Sequence, residues 1–197
     1  MTDTLLYAAL IAGVAALGLA VFYARAVLAT PRGNERMVEL SDAIREGAMA
    51  FIRREYTWIA VFVVAMAVLI AVLLDDGLMR AGAYLFGALL SAGAGFVGMR
   101  IATAANSRTT EAARLGGIPA ALPVAFRGGA VMGFTVAGLG LLGIGLGYLI
   151  FIEILTDIEL VRSADIVAAL GLGGSSIALF ARVGGGIYTK AADVGAD

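Results

Sequence analysis

Five stretches of this chain stay apolar for about 20 residues each, the length a helix needs to cross a hydrocarbon layer. They lie near residues 4–24, 56–74, 81–103, 129–151 and 164–188. In lipid every backbone N–H and C=O must find its partner inside the protein, which helices accomplish within one segment. The pattern predicts an all-α membrane protein of about five transmembrane helices. Hydrophobic residues make up 61% of the 197 positions, against about 45–50% in soluble domains. The 27 glycines and 3 prolines suit close packing of helices in lipid.

The first stretch differs from a signal peptide. Residues 1–24 contain no Lys or Arg, the apolar run is longer than a typical h-region, and Arg25 follows it. A retained membrane helix is expected.

Charge alternates along the connections. Arg25, Arg32, Arg36, Arg45, Arg53 and Arg54 fall between the first and second stretches, and residues 100–127, from the end of the third stretch to the start of the fourth, carry Arg100, Arg108, Arg114 and Arg127. Acidic residues dominate the other side: Asp3, then Asp75 and Asp76 with Arg80, then Glu153, Asp157, Glu159 and Asp165 with Arg162. The positive-inside rule then predicts an external N-terminus and cytoplasmic Arg-rich connections. The fifth span ends in the cytoplasm on the same count. An integral protein of the cell's inner (plasma) membrane is expected, with no nucleic-acid partner.

Two connections carry structure of their own. Thr30-Pro31 ends the first helix, and Asn34 is placed to cap a new one. Met37, Leu40, Ile44, Ala48, Phe51 and Ile52 recur at helical spacing, and nothing breaks the pattern before the second span. One long helix is predicted, its first half packed on the protein or lying at the membrane surface. Residues 104–127 read as a second cytoplasmic connection, broken at Gly116-Gly117 and Pro119, with Pro123 shortly after. Asn106, Ser107, Arg108, Thr109, Thr110 and Glu111 there suit capping, solvation or contact with an anion. No repeat divides the chain, and residues 1–197 are read as a single helical region.

The chain has no Cys and no His. Thiolate metal sites and the usual neutral-pH proton carrier are therefore excluded. Any metal must be held by oxygen, which favours Mg²⁺ or Ca²⁺ over Zn²⁺. Gly138, Gly140 and Gly143 spell G-x-G-x-x-G, but mid-span among Leu and Val rather than between a strand and a helix. Gly184-Gly185-Gly186 before Lys190 has the wrong spacing for a P-loop. No strand precedes it, and the Gly138–Gly143 pattern is read as a helix-packing surface.

The last segment carries charge into this apolar setting. Asp, Lys or Arg at the centre of a membrane helix costs about 2.5–3.5 kcal/mol each. At about 100° per residue, Arg182, Asp193, Asp197 and Lys190 fall near 0°, 20°, 60° and 80° on a helix, one continuous stripe. Arg182 would lie about 12 Å along the axis from Lys190 and about 16 Å from Asp193. Lys190 is a point charge suited to phosphate. Asp193 and Asp197 repel as an i,i+4 pair, and Mg²⁺ relieves such repulsion by bridging carboxylates to phosphates. An ordinary solvated helix end would account for the same residues on composition alone.

GLGGSSIALFARVGGGIYTKAADVGAD (Gly171–Asp197) closely resembles the segment leading into the active site of membrane-bound, ion-translocating pyrophosphatases. GMRIATAANSRTTEAAR (Gly98–Arg114), AFRGGAVMGFTVAGLGLLG (Ala125–Gly143) and MVELSDAIREGAMAFIRREY (Met37–Tyr56) are similar to that family's earlier helices and cytoplasmic segments. The resemblance implies the N-terminal part of a larger multi-helix fold, a homodimer when full length. It implies hydrolysis of inorganic pyrophosphate at a cytoplasmic Mg²⁺ site, coupled to outward H⁺ or Na⁺ transport across the lipid bilayer. Lys190 would contact pyrophosphate, Asp193 and Asp197 would hold Mg²⁺, and Arg182 would sit in a charged gate below. No catalytic residue in the narrow sense is expected within these 197 positions. The pumped ion and any K⁺ requirement are left open by the resemblance. Family members continue several hundred residues beyond the point matching Asp197, so residues 1–197 are expected to be inactive alone. The alternative is a small helical membrane protein with a structural or channel-subunit role. A nucleotide-dependent transporter component is disfavoured by the lack of a strand–loop–helix phosphate cradle.

Overall fold

The computed structural model describes residues 2–154 and 160–196. The described residues form four long helices: α1 (Thr2–Leu28), α2 (Glu35–Leu73), α3 (Gly77–Tyr148) and α4 (Leu160–Ala196). A π-helical turn, Leu149–Ile154, extends α3. All four helices are long and apolar enough to cross a membrane.

α2 is one uninterrupted helix of 39 residues. Asn34 caps it as expected, its Oδ1 accepting from the Met37 N–H at 3.0 Å. At about 1.5 Å per residue it reaches about 58 Å, roughly twice a bilayer's hydrocarbon core. Its Glu35-bearing half therefore extends well past any apolar layer that its second half crosses.

The third and fourth expected spans belong to one element. α3 runs 72 residues and leaves helical geometry only at Gly117 (φ 65°, ψ −161°). That conformation is open to glycine and costly for other residues. Two arms, residues 77–116 and 118–148, fold back on each other there: Gly98 meets Met132, Gly128 meets Ala105, and Gly143 meets Leu90. The connection expected over 104–127 is thus a helical hairpin tip rather than a loop. Pro119 sits in the first turn of the second arm, where its missing N–H removes no helical bond. Pro123 lies within the helix beyond it.

The remaining packing follows from small residues. α1 lies antiparallel on the second arm, with Gly13 against Gly138 and Leu142, and Tyr23 stacked on Phe134 at 5.9 Å between ring centroids. α2 lies antiparallel on the first arm, joined by Tyr56 Oη donating to the Ala92 carbonyl at 2.6 Å and by the buried Ser107–Ser41 pair at 3.3 Å. α4 runs parallel to the first arm. Gly87 meets the Leu170 backbone, Gly173 meets the Tyr84 carbonyl, and Ser91 Oγ donates to the Gly174 carbonyl at 3.1 Å. Ile59, Val63, Ala67, Ile70, Ala81, Tyr84, Ala88 and Ile177 form the main buried cluster where α2, α3 and α4 meet.

Candidate functional site

The C-terminal stretch of α4 has two unlike faces. Gly184 packs against Glu55 and Phe51 of α2. The Tyr188 ring lies 5.4 Å from that of Phe51. With Gly184 as zero, Tyr188 falls near 40° at about 100° per residue, but Arg182, Asp193 and Lys190 fall near 160°, 180° and 240°. The packed face therefore turns the charged stripe away from α2, and Lys190, Asp193 and Arg182 are all exposed.

Lys190 Nζ stands 3.6 Å from Asp193 Oδ2, with both side chains more than two-thirds exposed. So open a pair is weak by itself, and both groups stay free to engage a ligand. Asp197 lies outside the described residues. Arg182 is not drawn into this pair, and no carboxylate ion pair to it is found among the described residues. It stands instead on the wall of a cavity of about 720 Å³ between the two arms of α3 and α4. Tyr56, Gly95 and Met132 line the same end of that cavity, and Val167, Gly87 and Ile144 line the other. The walls are mostly glycine and aliphatic side chains. Arg182 is thus a cation on the wall of an apolar space, set back from Lys190 and Asp193.

Among the described residues no group of three acidic side chains comes together to hold a metal. Asp193 offers one exposed carboxylate beside a lysine. That group suits a hard cation such as Mg²⁺, which keeps most of its shell for water and phosphate oxygens and needs only one or two carboxylates.

Two contacts at this site were not anticipated from sequence. Glu55 carries a buried Oε1 with no hydrogen-bond partner among the described residues, and it faces Gly184. Its register held the signal, because Glu55 falls four residues after Phe51, within the apolar stripe formed by Ile44, Ala48, Phe51, Ile52 and Ile59. Tyr188 completes the seam, its hydroxyl 3.5 Å from the Ile44 carbonyl.

Apolar spanning helices packed through glycine, with a cation and a carboxylate exposed at one end, define a helical membrane protein with a polar terminal site. Residues 14–197 match the model of the inorganic H⁺ pyrophosphatase family. The chain belongs to that family. It is 47% identical over 195 residues to the K⁺-insensitive pyrophosphate-energized proton pump of Methanosarcina mazei, covering 99% of this chain and 27% of the relative. It is 46% identical over 195 residues to the K⁺-stimulated pyrophosphate-energized sodium pump of Thermotoga maritima, covering 92% of this chain and 27% of the relative. A K⁺-insensitive pyrophosphate-energized proton pump of Pyrobaculum aerophilum is 45% identical over 191 residues, 95% of this chain and 26% of the relative. The chain thus spans about a quarter of the length of these relatives. Family membership removes the reading of an unrelated small structural or channel subunit.

Proposed function

We propose that this chain forms the N-terminal part of a membrane pump that hydrolyses inorganic pyrophosphate on the cytoplasmic side and drives H⁺ or Na⁺ outward. The observation that carries the reading is the exposed Lys190–Asp193 pair, 3.6 Å apart, on the unpacked face of α4. A lysine and a carboxylate placed so can act on one Mg²⁺-pyrophosphate complex. Lys190 neutralises phosphate oxygens as a point charge. Asp193, with Asp197 four positions on in sequence, would hold Mg²⁺ against the substrate. Mg²⁺ held there would supply charge neutralisation on the phosphate oxygens. Arg182, behind them on the wall of the apolar cavity, is the gate between the hydrolytic site and the ion path.

Two carboxylates do not make the multi-metal clamp that phosphoryl transfer uses. Residues 1–197 alone are therefore inactive in this account, and the full-length protein works as a homodimer. The relatives' names include both proton and sodium pumps, K⁺-insensitive and K⁺-stimulated, at nearly equal identity. Overall similarity thus does not choose the ion or the K⁺ requirement.

The test is a chimera in which residues 1–197 replace the matching segment of the Methanosarcina mazei pump. In sealed vesicles it should release phosphate from pyrophosphate only with Mg²⁺ and should build an ion gradient. The 197-residue chain alone should do neither. Phosphate release by the isolated chain, or a correctly inserted chimera without hydrolysis, contradicts the reading.

A further inference from the structure

The close contacts of α4 over residues 180–188 go to α2. Phe180 packs on Phe62 with ring centroids 4.9 Å apart, Gly184 meets Glu55 and Phe51, and Tyr188 meets Phe51 and the Ile44 carbonyl. Glu55 is the acidic member of this seam, and it sits at its centre. Its Oε1 is shut off from solvent and receives no hydrogen bond among the described residues. Buried oxygens are normally satisfied, so one left without a donor calls for a reason. Its surroundings here are shaped by a glycine. A methyl group on Gly184 would overlap that oxygen and come within 3.0 Å of Phe51 Cζ. Glycine at 184 makes a notch in α4, and the Glu55 side chain fills it.

We propose that Glu55 is a positioning residue: seated in the Gly184 notch, it sets where the end of α4 stands against α2, and hence where Lys190 and Asp193 meet pyrophosphate. Gly184 lies six residues before Lys190 on the same helix, about 9 Å along the axis. A displacement at the notch is carried to Lys190 because the helix between them is continuous. Errors of about 1 Å in placing a reacting group cost about a hundredfold in rate. The inference rests on the assignment of Lys190 and Asp193 made above.

The test uses the full-length chimera, with Mg²⁺-pyrophosphate as substrate and rates normalised to inserted protein. Glu55→Ala empties the notch and Gly184→Ala fills it from the other side. Each should raise KM about tenfold and lower kcat. Glu55→Gln keeps the shape and should stay within about twofold of the parent. The double variant Glu55→Ala/Gly184→Ala places a methyl in the vacated space, so its loss should be smaller than the two single losses combined. Should Gly184→Ala alone fail to accumulate, accumulation of the double variant with a recovered KM supports the proposal, and failure of the double variant as well overturns it. Unchanged KM in both single variants while Lys190→Ala abolishes hydrolysis overturns it. So does strict additivity, or a Glu55→Gln variant as impaired as Glu55→Ala. Hydrolysis retained by Lys190→Ala removes the underlying site assignment instead, and this proposal with it.

Discussion

The Arg80 guanidinium donates to Asp165 Oδ2 at 2.8 Å, across 85 positions of sequence. The bond ties the first turn of α3 to the start of α4, at the opposite end of α4 from Lys190. Arg80 is 18% exposed and Asp165 about half exposed, and Arg80 Nε is buried with no partner among the described residues. Arg80 therefore depends on Asp165 for compensation. Asp165→Ala should cost about 1–3 kcal/mol, measured by reversible unfolding of the protein in mixed micelles. Asp165→Asn, which keeps an acceptor, should cost less.

Helix contacts through glycine give a sharper test of packing. At Gly173 a methyl would collide with the Tyr84 carbonyl and crowd the Ala88 nitrogen. Neither backbone atom can move without shifting its helix, so overpacking costs about 1–3 kcal/mol or more. Gly18 faces open space, and a methyl added there would meet nothing within 4 Å. At that position Gly→Ala should gain about 0.5–1 kcal/mol from helix propensity. The same unfolding assay should give Gly173→Ala and Gly18→Ala opposite signs.

Glu111 lies at the hairpin tip, beyond the apolar parts of α3. It accepts two hydrogen bonds from Arg114, at 2.8 and 2.7 Å. These bonds, and the guanidinium charge with them, hold its carboxyl below the ordinary carboxylate range. A group whose folded pKa is depressed adds stability above its unfolded pKa and loses it as pH falls through the folded value. The stability difference between the protein and Glu111→Gln should be constant above about pH 5 and shrink once pH falls below about 4.3. Arg114 is more than half exposed, so added salt should narrow the difference at neutral pH.

Much of this architecture was legible from residue patterns because lipid imposes few alternatives. Asn34 ahead of an unbroken helical stripe led directly to the single helix α2. The hairpin tip was harder to read. Gly116, Gly117, Pro119 and Pro123 all look like breakers, yet only Gly117 leaves helical geometry. One residue in the left-handed region suffices to reverse the chain, and a proline just after a reversal falls where a helix tolerates it. Lys190, Asp193 and Arg182 stood out because charge is rare in apolar surroundings. Glu55 did not, because its partner is a glycine 129 positions away whose contribution is an absent side chain. Such a contact needs tertiary structure to be seen.

Arg182 stands on the wall of the apolar cavity, apart from the Lys190–Asp193 pair. Its loss should therefore uncouple more than it inactivates. In the chimera, Arg182→Ala should lower the ions moved per pyrophosphate cleaved by more than half while leaving hydrolysis measurable. Simultaneous recording of phosphate release and ion uptake in vesicles checks this. An equal fall in both would place Arg182 in the hydrolytic site.

The most direct measurement is kcat/KM for Mg²⁺-pyrophosphate in the chimera carrying Lys190→Ala or Asp193→Ala, with Gly18→Ala as control. Each site substitution is expected to lower it by about a hundredfold or more, with the control near the parent value. Both site variants turning over at close to the parent rate would contradict the assignment of this end of α4 to pyrophosphate.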